Sequence, residues 1–303
     1  MAVTPEFAPR ALQTLSGLRF STATSAFQIE GARTLDGRGR SIWDEFVDEP
    51  GNVIDSSTAD PGPDSYHRSA EDAALLAGLG VDRYRFSISW VRIIADGMAG
   101  TKPNTAGLDY YDRVVDELLG VGVTPEPTLY HWDLPTALEA AGGWLNRDTV
   151  HRFGDYVDAV ADRLGDRVRH WYTINEPAST SLQGYALGEL APGHTMLFDA
   201  LPTVHHQLLA HGTATTILRE HGAEQVAPAI NHSLILPETD TEADHEAAAT
   251  LDLIYNRLFA DPLLLGEYPD LEALGAQMPI RDGDMELIST PCDVYGFNYY
   301  NPT

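Results

Sequence analysis

The stretch VRHWYTINEP, residues Val168–Pro177, is a mostly apolar, aromatic and β-branched run that ends in an amide, a carboxyl group and a proline. Such a run is typical of a buried β-strand. Because the ring of Pro177 disfavours the helical region for the residue before it, we expect Glu176 to lie at an extended strand end. The sequence therefore places an acidic side chain at the end of a buried strand, and the rest of the chain indicates which fold would use it.

Runs of the same kind recur along the chain, with longer helical stretches between them. The predicted strands are Leu18–Phe27, Val81–Ser89, Val121–Tyr130, Val168–Ile174, Gln225–Ile230 and Val294–Tyr300. The predicted helices are Ser69–Leu79, Gly107–Leu119, Thr149–Leu164, Ala200–Glu220 and Thr241–Phe259. Strands that alternate with helices predict an α/β fold with a parallel sheet and right-handed crossovers.

Every predicted strand ends on polar or aromatic side chains or is followed directly by them. They are Gln28, Ser89 and Trp90, His131 to Asp133, Asn175 and Glu176, Asn231 and His232, and Asn298 to Tyr300. In a (β/α)8 barrel the carboxyl ends of all strands meet at one active site, whereas a doubly wound sheet carries a glycine-rich first turn. The first turn here, Ser25–Gln28, lacks that glycine pattern. We therefore predict an incomplete TIM barrel with about six of its eight β/α units, as a single catalytic-type domain over residues 1–303.

The composition excludes several classes of partner. The chain of 303 residues has 45 acidic and 19 basic side chains, which gives a formal net charge of −26. Binding to nucleic acid or to anionic membranes requires clustered cations, so we expect neither partner. The only lysine is Lys102, and the acidic balance fits either a high-salt environment or a genome that exchanges lysine for arginine.

The number of cysteines and the lengths of the apolar runs indicate in which cellular compartment the protein is located. Cys292 is the only cysteine, so an intrachain disulfide or a cysteine-based zinc site is excluded. Residues 1–15, MAVTPEFAPRALQTL, show no basic start followed by a long apolar run, which is the pattern of a signal peptide. No window of the sequence reaches the roughly 18 apolar residues of a membrane span. We therefore expect a cytoplasmic protein.

Seven segments occur in the order in which they occur in a known enzyme family. They are FSTATSAFQIEGA (Phe20–Ala32), DGRGRSIWDEF (Asp36–Phe46), YRFSISW (Tyr84–Trp90), LYHWDLP (Leu129–Pro135), AGGWLNRD (Ala141–Asp148), TINEP (Thr173–Pro177) and GFNYY (Gly296–Tyr300). With these segments the sequence resembles glycoside hydrolase family 1, the β-glucosidase family, nearly from end to end. The resemblance implies retaining hydrolysis of β-linked glucosides or small oligosaccharides, in carbohydrate metabolism, without a cofactor or a metal ion.

The resemblance implies that Glu176 is the general acid/base. We expect Tyr172, Ile174 and nearby aromatic rings to surround it with apolar material. Desolvation of that kind raises the pKa of a carboxyl group, which suits a general acid near neutral pH. Asn175 matches the residue that holds the sugar 2-hydroxyl, a contact that strengthens toward the oxocarbenium-like transition state.

The remaining site residues implied by the resemblance bind the sugar or a second carboxylate. Gln28 and His131 match groups that bind hydroxyls of the sugar at the −1 subsite, and Trp132 matches an aromatic wall of that subsite. Amide and imidazole groups suit hydroxyls, and flat aromatic faces suit the C–H surfaces of a sugar. The resemblance implies that Arg85 and Tyr300 contact the nucleophilic carboxylate, and that Asn298 supports the same network.

Other conspicuous residues have structural interpretations. We expect Trp43 and Trp90 to serve in packing, Glu30 to be a buried structural acid, and Glu126 not to be catalytic. Five histidines on predicted helices or their ends show no metal-ligand pattern, and we expect them to be structural or solvated. They are His151, His205, His206, His211 and His221.

The second carboxylate of a retaining glycosidase is not found. The two carboxyl groups of such enzymes lie about 5–5.5 Å apart. The resemblance implies a nucleophile in a Thr-Glu-Asn-Gly type motif on the seventh strand, and these 303 residues contain no such motif. Tyr300–Thr303 follow the sixth predicted strand. We expect a fragment, a truncated gene product or one half of a split enzyme, and we expect its activity alone to be absent.

Two further expectations follow from a barrel without its last two strands. Two open sheet edges would be exposed, and such edges invite pairing with another chain. An oligomer or a complementing C-terminal fragment is therefore an expected partner, besides the glucoside itself. The alternative function is a non-catalytic barrel that binds sugars or partners.

Overall fold

The computed structural model describes residues 18–303, which form a curled sheet of six parallel strands with helices in the connections. The strands are β1 (Ser21–Ala23), β2 (Arg83–Ser87), β3 (Thr124–Tyr130), β4 (His170–Asn175), β5 (Gln225–His232) and β6 (Gly296–Tyr299). Each strand pairs in parallel with the next one in the chain. This order is that of a (β/α)8 barrel, so the predicted fold class is confirmed with six strands present. The expectation about a signal peptide concerns residues 1–15, which lie outside the described residues.

Eleven α-helices connect or flank these strands within residues 18–303. They are α1 (Ala26–Ile29), α2 (Ile42–Asp48), α3 (Ser65–Leu79), α4 (Trp90–Ile93), α5 (Thr105–Gly120), α6 (Thr136–Ala140), α7 (Asp148–Leu164), α8 (Leu201–Glu220), α9 (Glu242–Asp252), α10 (Leu258–Leu264) and α11 (Asp284–Ile288). Three 3₁₀ turns and two π-helical segments complete the structure. These are Gly143–Leu145, Leu197–Ala200 and Glu272–Leu274, and Ser179–Ala186 and Leu253–Arg257.

All six predicted strands are confirmed, although none has the predicted boundaries at both ends. The first strand was expected to continue to Phe27, whereas β1 ends at Ala23 and Gln28 lies in α1. Where the chain leaves the sheet, the amide of Ala26 donates to the Ser87 hydroxyl over 2.7 Å. The helix predicted over Thr241–Phe259 is interrupted by the π-helical segment, which separates α9 from α10.

A cluster of buried aromatic rings fills the space between β3, α4 and α7. The ring centroid of Trp90 lies 5.3 Å from those of Phe153 and Tyr156. Trp144 donates from Nε1 to the hydroxyl of Tyr130 over 2.9 Å. Because the Trp90 side chain is fully buried in this cluster, the prediction that it packs in the core is confirmed.

The two acids that were not expected to be catalytic are buried and paired. Glu30 accepts a hydrogen bond from Arg92 Nε over 3.0 Å and one from the hydroxyl of Tyr111 over 2.5 Å. The prediction that Glu30 is a structural acid is therefore confirmed. Glu126 accepts from Arg83 over 2.6 Å, and this pair supports the prediction that Glu126 has no catalytic role.

The helical histidines have structural partners or are exposed, as predicted. The partners are Asp284 for His205, the carbonyl oxygen of Trp144 for His206, Thr173 for His211 and Asp158 for His221. Burial lowers the pKa values of His206 and His211 to about 4, so both imidazoles are neutral near pH 7. His151 lies on the exposed face of α7.

One of these histidines belongs to an ion-pair network that we call the Asp284 clip. Asp284, at the start of α11, accepts hydrogen bonds from Arg147, from His205 Nε2 over 2.8 Å and from the backbone amide of Arg281 over 2.8 Å. The other ring nitrogen of His205 lies 3.0 Å from the hydroxyl of Tyr268. The clip thus joins the start of α7, α8 and the segment that leads into β6.

The two outer strands of the sheet are paired on one side within the described residues. β1 pairs with β2, and β6 pairs with β5. Phe297 and Tyr299 in β6 are 63% and 50% exposed, so aromatic side chains stand open along this edge. In the described part of the chain no helix combines the length and the apolar character needed to cross a membrane.

Candidate active site

A cavity of about 480 Å³ lies where the carboxyl ends of the strands meet. All eight residues that the sequence analysis selected line it. They are Gln28, Arg85, His131, Trp132, Asn175, Glu176, Asn298 and Tyr300. These residues come from five of the six strands or the segments that follow them, so the barrel topology brings together side chains up to 272 positions apart in the sequence.

Glu176 lies directly after β4 and is buried at 4% exposure. Its backbone amide still donates to the carbonyl oxygen of Ala229 in β5, over 2.7 Å. The register of β4 against β5 shifts between Tyr172 and Asn175, and irregularities of this kind redirect side chains next to active sites. The expected extended conformation was wrong, because Glu176 has φ 45° where the chain turns from the strand into the π-helix that begins at Ser179.

The Glu176 carboxylate accepts three hydrogen bonds. Oε1 accepts from Asn298 Nδ2 over 2.6 Å and from the Tyr300 hydroxyl over 2.5 Å. Oε2 accepts from the Ser179 hydroxyl over 3.1 Å. The carboxylate is therefore buried as expected. The prediction that apolar side chains surround it was incomplete, because three polar groups donate hydrogen bonds to it. Burial and the bond to Glu176 raise the pKa of Tyr300 to about 12, so Tyr300 remains a donor near neutral pH.

Asn175 connects the groups around the cavity. Its Oδ1 accepts from Arg85 Nη2 over 2.6 Å and from Asn298 Nδ2 over 3.3 Å. Its Nδ2 lies 3.3 Å from Nε2 of His131, and its carbonyl oxygen accepts from Trp132 Nε1 over 2.8 Å. These contacts fix the amide in one orientation beside Glu176.

Arg85 is held from two further sides. Its Nε donates to the Thr128 hydroxyl over 2.9 Å, and its guanidinium lies 4.5 Å from the ring centroid of Tyr172. Burial lowers the pKa of Arg85, but a guanidinium keeps its charge near pH 7. The resemblance implied that Arg85 and Tyr300 contact a nucleophilic carboxylate. In this structure they contact Asn175 and Glu176 instead.

The reason for that difference is the composition of the cavity wall. Glu176 is the only carboxylate among the described residues that line the cavity. Tyr300 and Arg85 therefore have no second acid to bind within the described cavity wall, and they donate to Glu176 and Asn175 respectively. Within the described residues, no cluster of histidine, cysteine or acidic side chains has the geometry of a metal site.

His131 and Trp132 form the wall beside Asn175. Burial, and secondarily the charge of Arg85, lowers the pKa of His131 to about 3, so its imidazole is neutral over the ordinary pH range. A neutral imidazole can both donate and accept a hydrogen bond, as a sugar hydroxyl requires. Trp132 has φ 78°, and its ring is stacked on Trp43 with centroids 6.3 Å apart. Trp43 thus packs at the rim, as predicted.

Several contributors were missed by the sequence analysis. Thr24 and Phe297 line the cavity, and Ser179 and Thr128 hold Glu176 and Arg85. Ser179 could have been found, because a hydroxyl three residues after an acid can reach it when the chain turns. Thr128 lies within β3, where the register pairs it with Ser87, and only the structure shows that its hydroxyl reaches Arg85 diagonally across the two strands.

Comparison with known proteins identifies the family of this arrangement. The family described as glycosyl hydrolase family 1 matches residues 14–303. Beta-glucosidase A from Acetivibrio thermocellus is 42% identical over 93% of this chain and 64% of its own length. Thermostable beta-glucosidase B from Thermobispora bispora is 45% identical over 94% of this chain and 59% of its own length.

Solved structures agree with this result. The psychrophilic beta-glucosidase BglU from Micrococcus antarcticus is 46% identical, with a TM-score of 0.90 over 93% of this chain and 61% of that chain. The family 1 β-glucosidase from Thermotoga maritima is 38% identical, with a TM-score of 0.89 over 94% of this chain and 65% of that chain. The chain thus spans about three fifths to two thirds of the length of these proteins.

Proposed function

Because the chain belongs to glycosyl hydrolase family 1, we propose that it supplies the acid/base and sugar-binding part of a retaining β-glucosidase. The observation that carries this proposal is the placement of Glu176, buried beside Asn175 in a polar cavity at the strand ends. Residues 1–303 act as one catalytic-type domain in this proposal, and the protein works in the cytoplasm without a cofactor.

The proposed reaction is a double displacement. In the first step a carboxylate nucleophile attacks the anomeric carbon, the glycosidic bond breaks, and the carboxyl proton of Glu176 moves to the leaving oxygen. The sugar is then held as an ester of the nucleophile. In the second step the Glu176 carboxylate takes a proton from water, and the water oxygen displaces the nucleophile from the anomeric carbon. Glu176 regains its proton, so the cycle closes.

The cavity side chains have distinct proposed roles in binding the sugar. Asn175 holds the 2-hydroxyl, and Gln28 and His131 hold other hydroxyls of the ring. The face of Trp132 covers the C–H surface of the sugar. Because Asn175 is already fixed by Arg85, its amide needs no reordering when the sugar binds.

Arg85, Tyr300 and Asn298 are proposed to hold the pair of carboxylates. The nucleophile must come from outside the described cavity wall, since Glu176 is its only carboxylate. Tyr300 is exposed at the cavity edge, and it donates to Glu176 in this structure. When a second carboxylate enters, Tyr300 and Arg85 can turn to it, which leaves Glu176 free to exchange its proton.

The proposed substrates are β-linked glucosides or short glucans. The relatives include a 1,4-beta-D-glucan glucohydrolase from Thermotoga neapolitana and the virulence factor SghA in complex with its substrate analog salicin. Salicin is a β-glucoside, which fits the mixed amide, imidazole and indole wall described above. An oligomer or a complementing C-terminal segment is the proposed source of the second carboxylate.

The binding part of this proposal can be tested on the chain itself. Methyl β-glucoside is titrated into residues 1–303, and binding is followed by ligand-observed NMR. We expect saturable binding that weakens about fivefold in Gln28→Ala, because one hydrogen bond contributes on the order of 1 kcal/mol. Gln225→Ala, at the opposite end of β5, is the matched control and should bind like the unmodified chain.

Two results would separate the alternatives. A chain that binds neither methyl β-glucoside nor methyl β-galactoside contradicts the proposed sugar site. A chain that binds the glucoside but remains inert after a family 1 segment with the second carboxylate is joined to it indicates a non-catalytic, sugar-binding barrel.

A further inference from the structure

A second, apolar cavity of about 400 Å³ lies between the π-helix Ser179–Ala186 and the segment that contains α9 and α10. Its lining is almost entirely apolar and includes Leu182, Ala186, Phe198, Val204, Ile254 and Leu258. The volume is within the range of about 300–1,000 Å³ found for small-molecule sites. The cavity shares no lining residue with the candidate active site.

A third cavity of about 300 Å³ adjoins both, because it shares lining residues with each of them. This middle cavity shares Tyr300 with the candidate active site, and it shares Leu251 and Tyr255 with the apolar cavity. Tyr255 is held at this boundary because its hydroxyl accepts a hydrogen bond from Asn231 over 2.8 Å. Tyr300 lines both the middle cavity and the candidate active site and donates to Glu176, so the row of three cavities starts beside that carboxyl group.

The apolar cavity also lies on the same side of the proposed sugar site as Glu176. Ser179 donates to Glu176 and is the first residue of the π-helix, and Ala186 at the end of the same helix lines the apolar cavity. A group that leaves with a proton from Glu176 departs on the side of that carboxyl. The row of cavities therefore begins where a leaving group would be released.

We propose that the apolar cavity binds the uncharged, apolar tail of the leaving group of a β-glucoside, an alkyl or arylalkyl chain long enough to pass Tyr255. This inference rests on the proposed function, because the sugar must lie beside Glu176. An anionic tail is disfavoured, since Glu189 lines the cavity and the chain carries a net charge of −26. Leu187, Leu197 and Phe198 are each more than half exposed at the rim and become covered when the tail binds.

The test uses a series of alkyl β-glucosides from methyl to octyl, each kept below its critical micelle concentration. Their dissociation constants for residues 1–303 are measured by ligand-observed NMR or calorimetry. Once the chain passes Tyr255, each added methylene should tighten binding by up to about fourfold, because a buried methylene contributes roughly that factor. Methyl β-glucoside reports on the sugar site alone.

Two variants separate the apolar cavity from the sugar site. Ala276→Trp fills the apolar cavity, and Leu251→Asn places a polar side chain at its junction with the middle cavity. Both should leave the affinity for methyl β-glucoside unchanged and should abolish the gain from methyl to octyl. Ala77→Trp, on the exposed face of α3, is the matched control and should keep the full gain.

The outcomes distinguish this inference from the proposed function. Affinities that do not depend on chain length, with methyl β-glucoside still bound, overturn the inference and leave the proposed function standing. A gain with chain length that persists in Ala276→Trp also overturns it, because the tail would then lie elsewhere. Binding of the neutral probe N-phenyl-1-naphthylamine that octyl β-glucoside does not displace assigns the cavity to another apolar ligand. If no glucoside binds at all, the proposed function fails, and the inference fails with it.

Discussion

At the scale of single residues, Asp133 is a buried carboxyl group that forms no ion pair within the described residues, although the charge of Arg38 partly offsets its burial. It is 1% exposed, and neither of its carboxylate oxygens has a hydrogen-bond partner among the described residues. Burial raises the pKa of Asp133 to about 7. Between about pH 4 and pH 7, Asp133 therefore keeps a proton in the folded chain that it has lost in the unfolded chain.

We predict that Asp133→Asn changes the pH dependence of stability. Because the raised pKa favours the folded state at low pH, this contribution is lost as the pH rises from about 4 to 7, by up to about 1.4 kcal/mol per pH unit. The free energy of unfolding of Asp133→Asn, relative to the unmodified chain, should therefore increase over that range. Urea unfolding at several pH values measures it.

The exposed Asp162→Asn in α7 serves as the control, and its difference from the unmodified chain should be independent of pH. A difference for Asp133→Asn that is also independent of pH would show that the Asp133 carboxyl titrates normally.

Residue types could be predicted from the sequence far better than backbone conformations. All eight residues that the motifs selected line the cavity, because five of the six strands deliver side chains to the same end of the sheet. The positive φ angles of Trp132 and Glu176 could not be predicted, since neither residue type favours that region. Strain of this kind persists at functional sites where the surrounding structure enforces it. The bond from Tyr300 to Glu176 was also missed, because it depends on which acids the cavity wall contains.

At the scale of secondary-structure elements, the Asp284 clip holds the segment that leads into β6. Although burial opposes it, the guanidinium of Arg147 and the imidazole of His205 hold the pKa of the Asp284 carboxyl well below its usual range. Asn298 lies in β6 and Tyr300 directly follows it. The clip therefore affects the Glu176 site indirectly, by fixing the strand that carries two of its hydrogen-bond donors.

We predict that Asp284→Asn destabilises the chain by about 2–3 kcal/mol, which is less than the roughly 3–5 kcal/mol for removing one partner of a fully buried pair, because Arg147 is a quarter exposed. A carboxyl group whose pKa is lowered in the folded state stabilises the folded chain at pH values above the usual carboxyl pKa. This stabilisation is lost as the pH falls below about 4. The loss in the variant should therefore be largest near pH 7 and should shrink in acid. Denaturant unfolding at pH 7 and pH 3 measures both effects.

Asp155→Asn is the matched control, because Asp155 pairs with Arg152 on the exposed face of α7. An exposed pair is worth about 0–1 kcal/mol, so this variant should remain close to the unmodified chain. Equal losses in the two variants would mean that the clip is no stronger than a surface ion pair.

Element types were predictable because period-2 and period-3.6 patterns were clear in most of the chain. The helix expected over Thr241–Phe259 shows where prediction from periodic patterns fails. Its pattern continues through Leu253–Arg257, yet the backbone there is π-helical, so that Asn256 can donate to the carbonyl oxygen of Ser233 after β5. A tertiary hydrogen bond of this kind cannot be predicted from the local pattern of apolar residues.

At the scale of the whole molecule, six strands place one acid, and the sugar-binding groups around it, at the end of a curled sheet. β1 and β6 each pair on one side within the described residues, and the cavity wall contains one carboxylate. A retaining reaction needs two carboxylates about 5–5.5 Å apart. The proposed activity is therefore a property of the closed barrel, to which this chain contributes Glu176.

The central claim is that Glu176 is the proton donor, and the dependence on the leaving group tests it most directly. Residues 1–303 are joined to the remaining segment of a 42%-identical relative, and kcat/KM is measured for the chimera and its Glu176→Ala variant. Methyl β-glucoside, whose leaving group needs a proton, should lose about 10²–10⁴-fold in the variant. 2,4-Dinitrophenyl β-glucoside needs no proton on its leaving group, so formation of the glucosyl ester should be nearly unaffected.

Added azide should restore turnover of the dinitrophenyl substrate in the variant and yield β-glucosyl azide, because a small anion can then attack the ester without a general base. Glu246→Ala, exposed on α9, is the control and should behave like the unmodified chimera. An equal loss of kcat/KM for both substrates, with no azide product, would contradict the assignment of Glu176 as the proton donor.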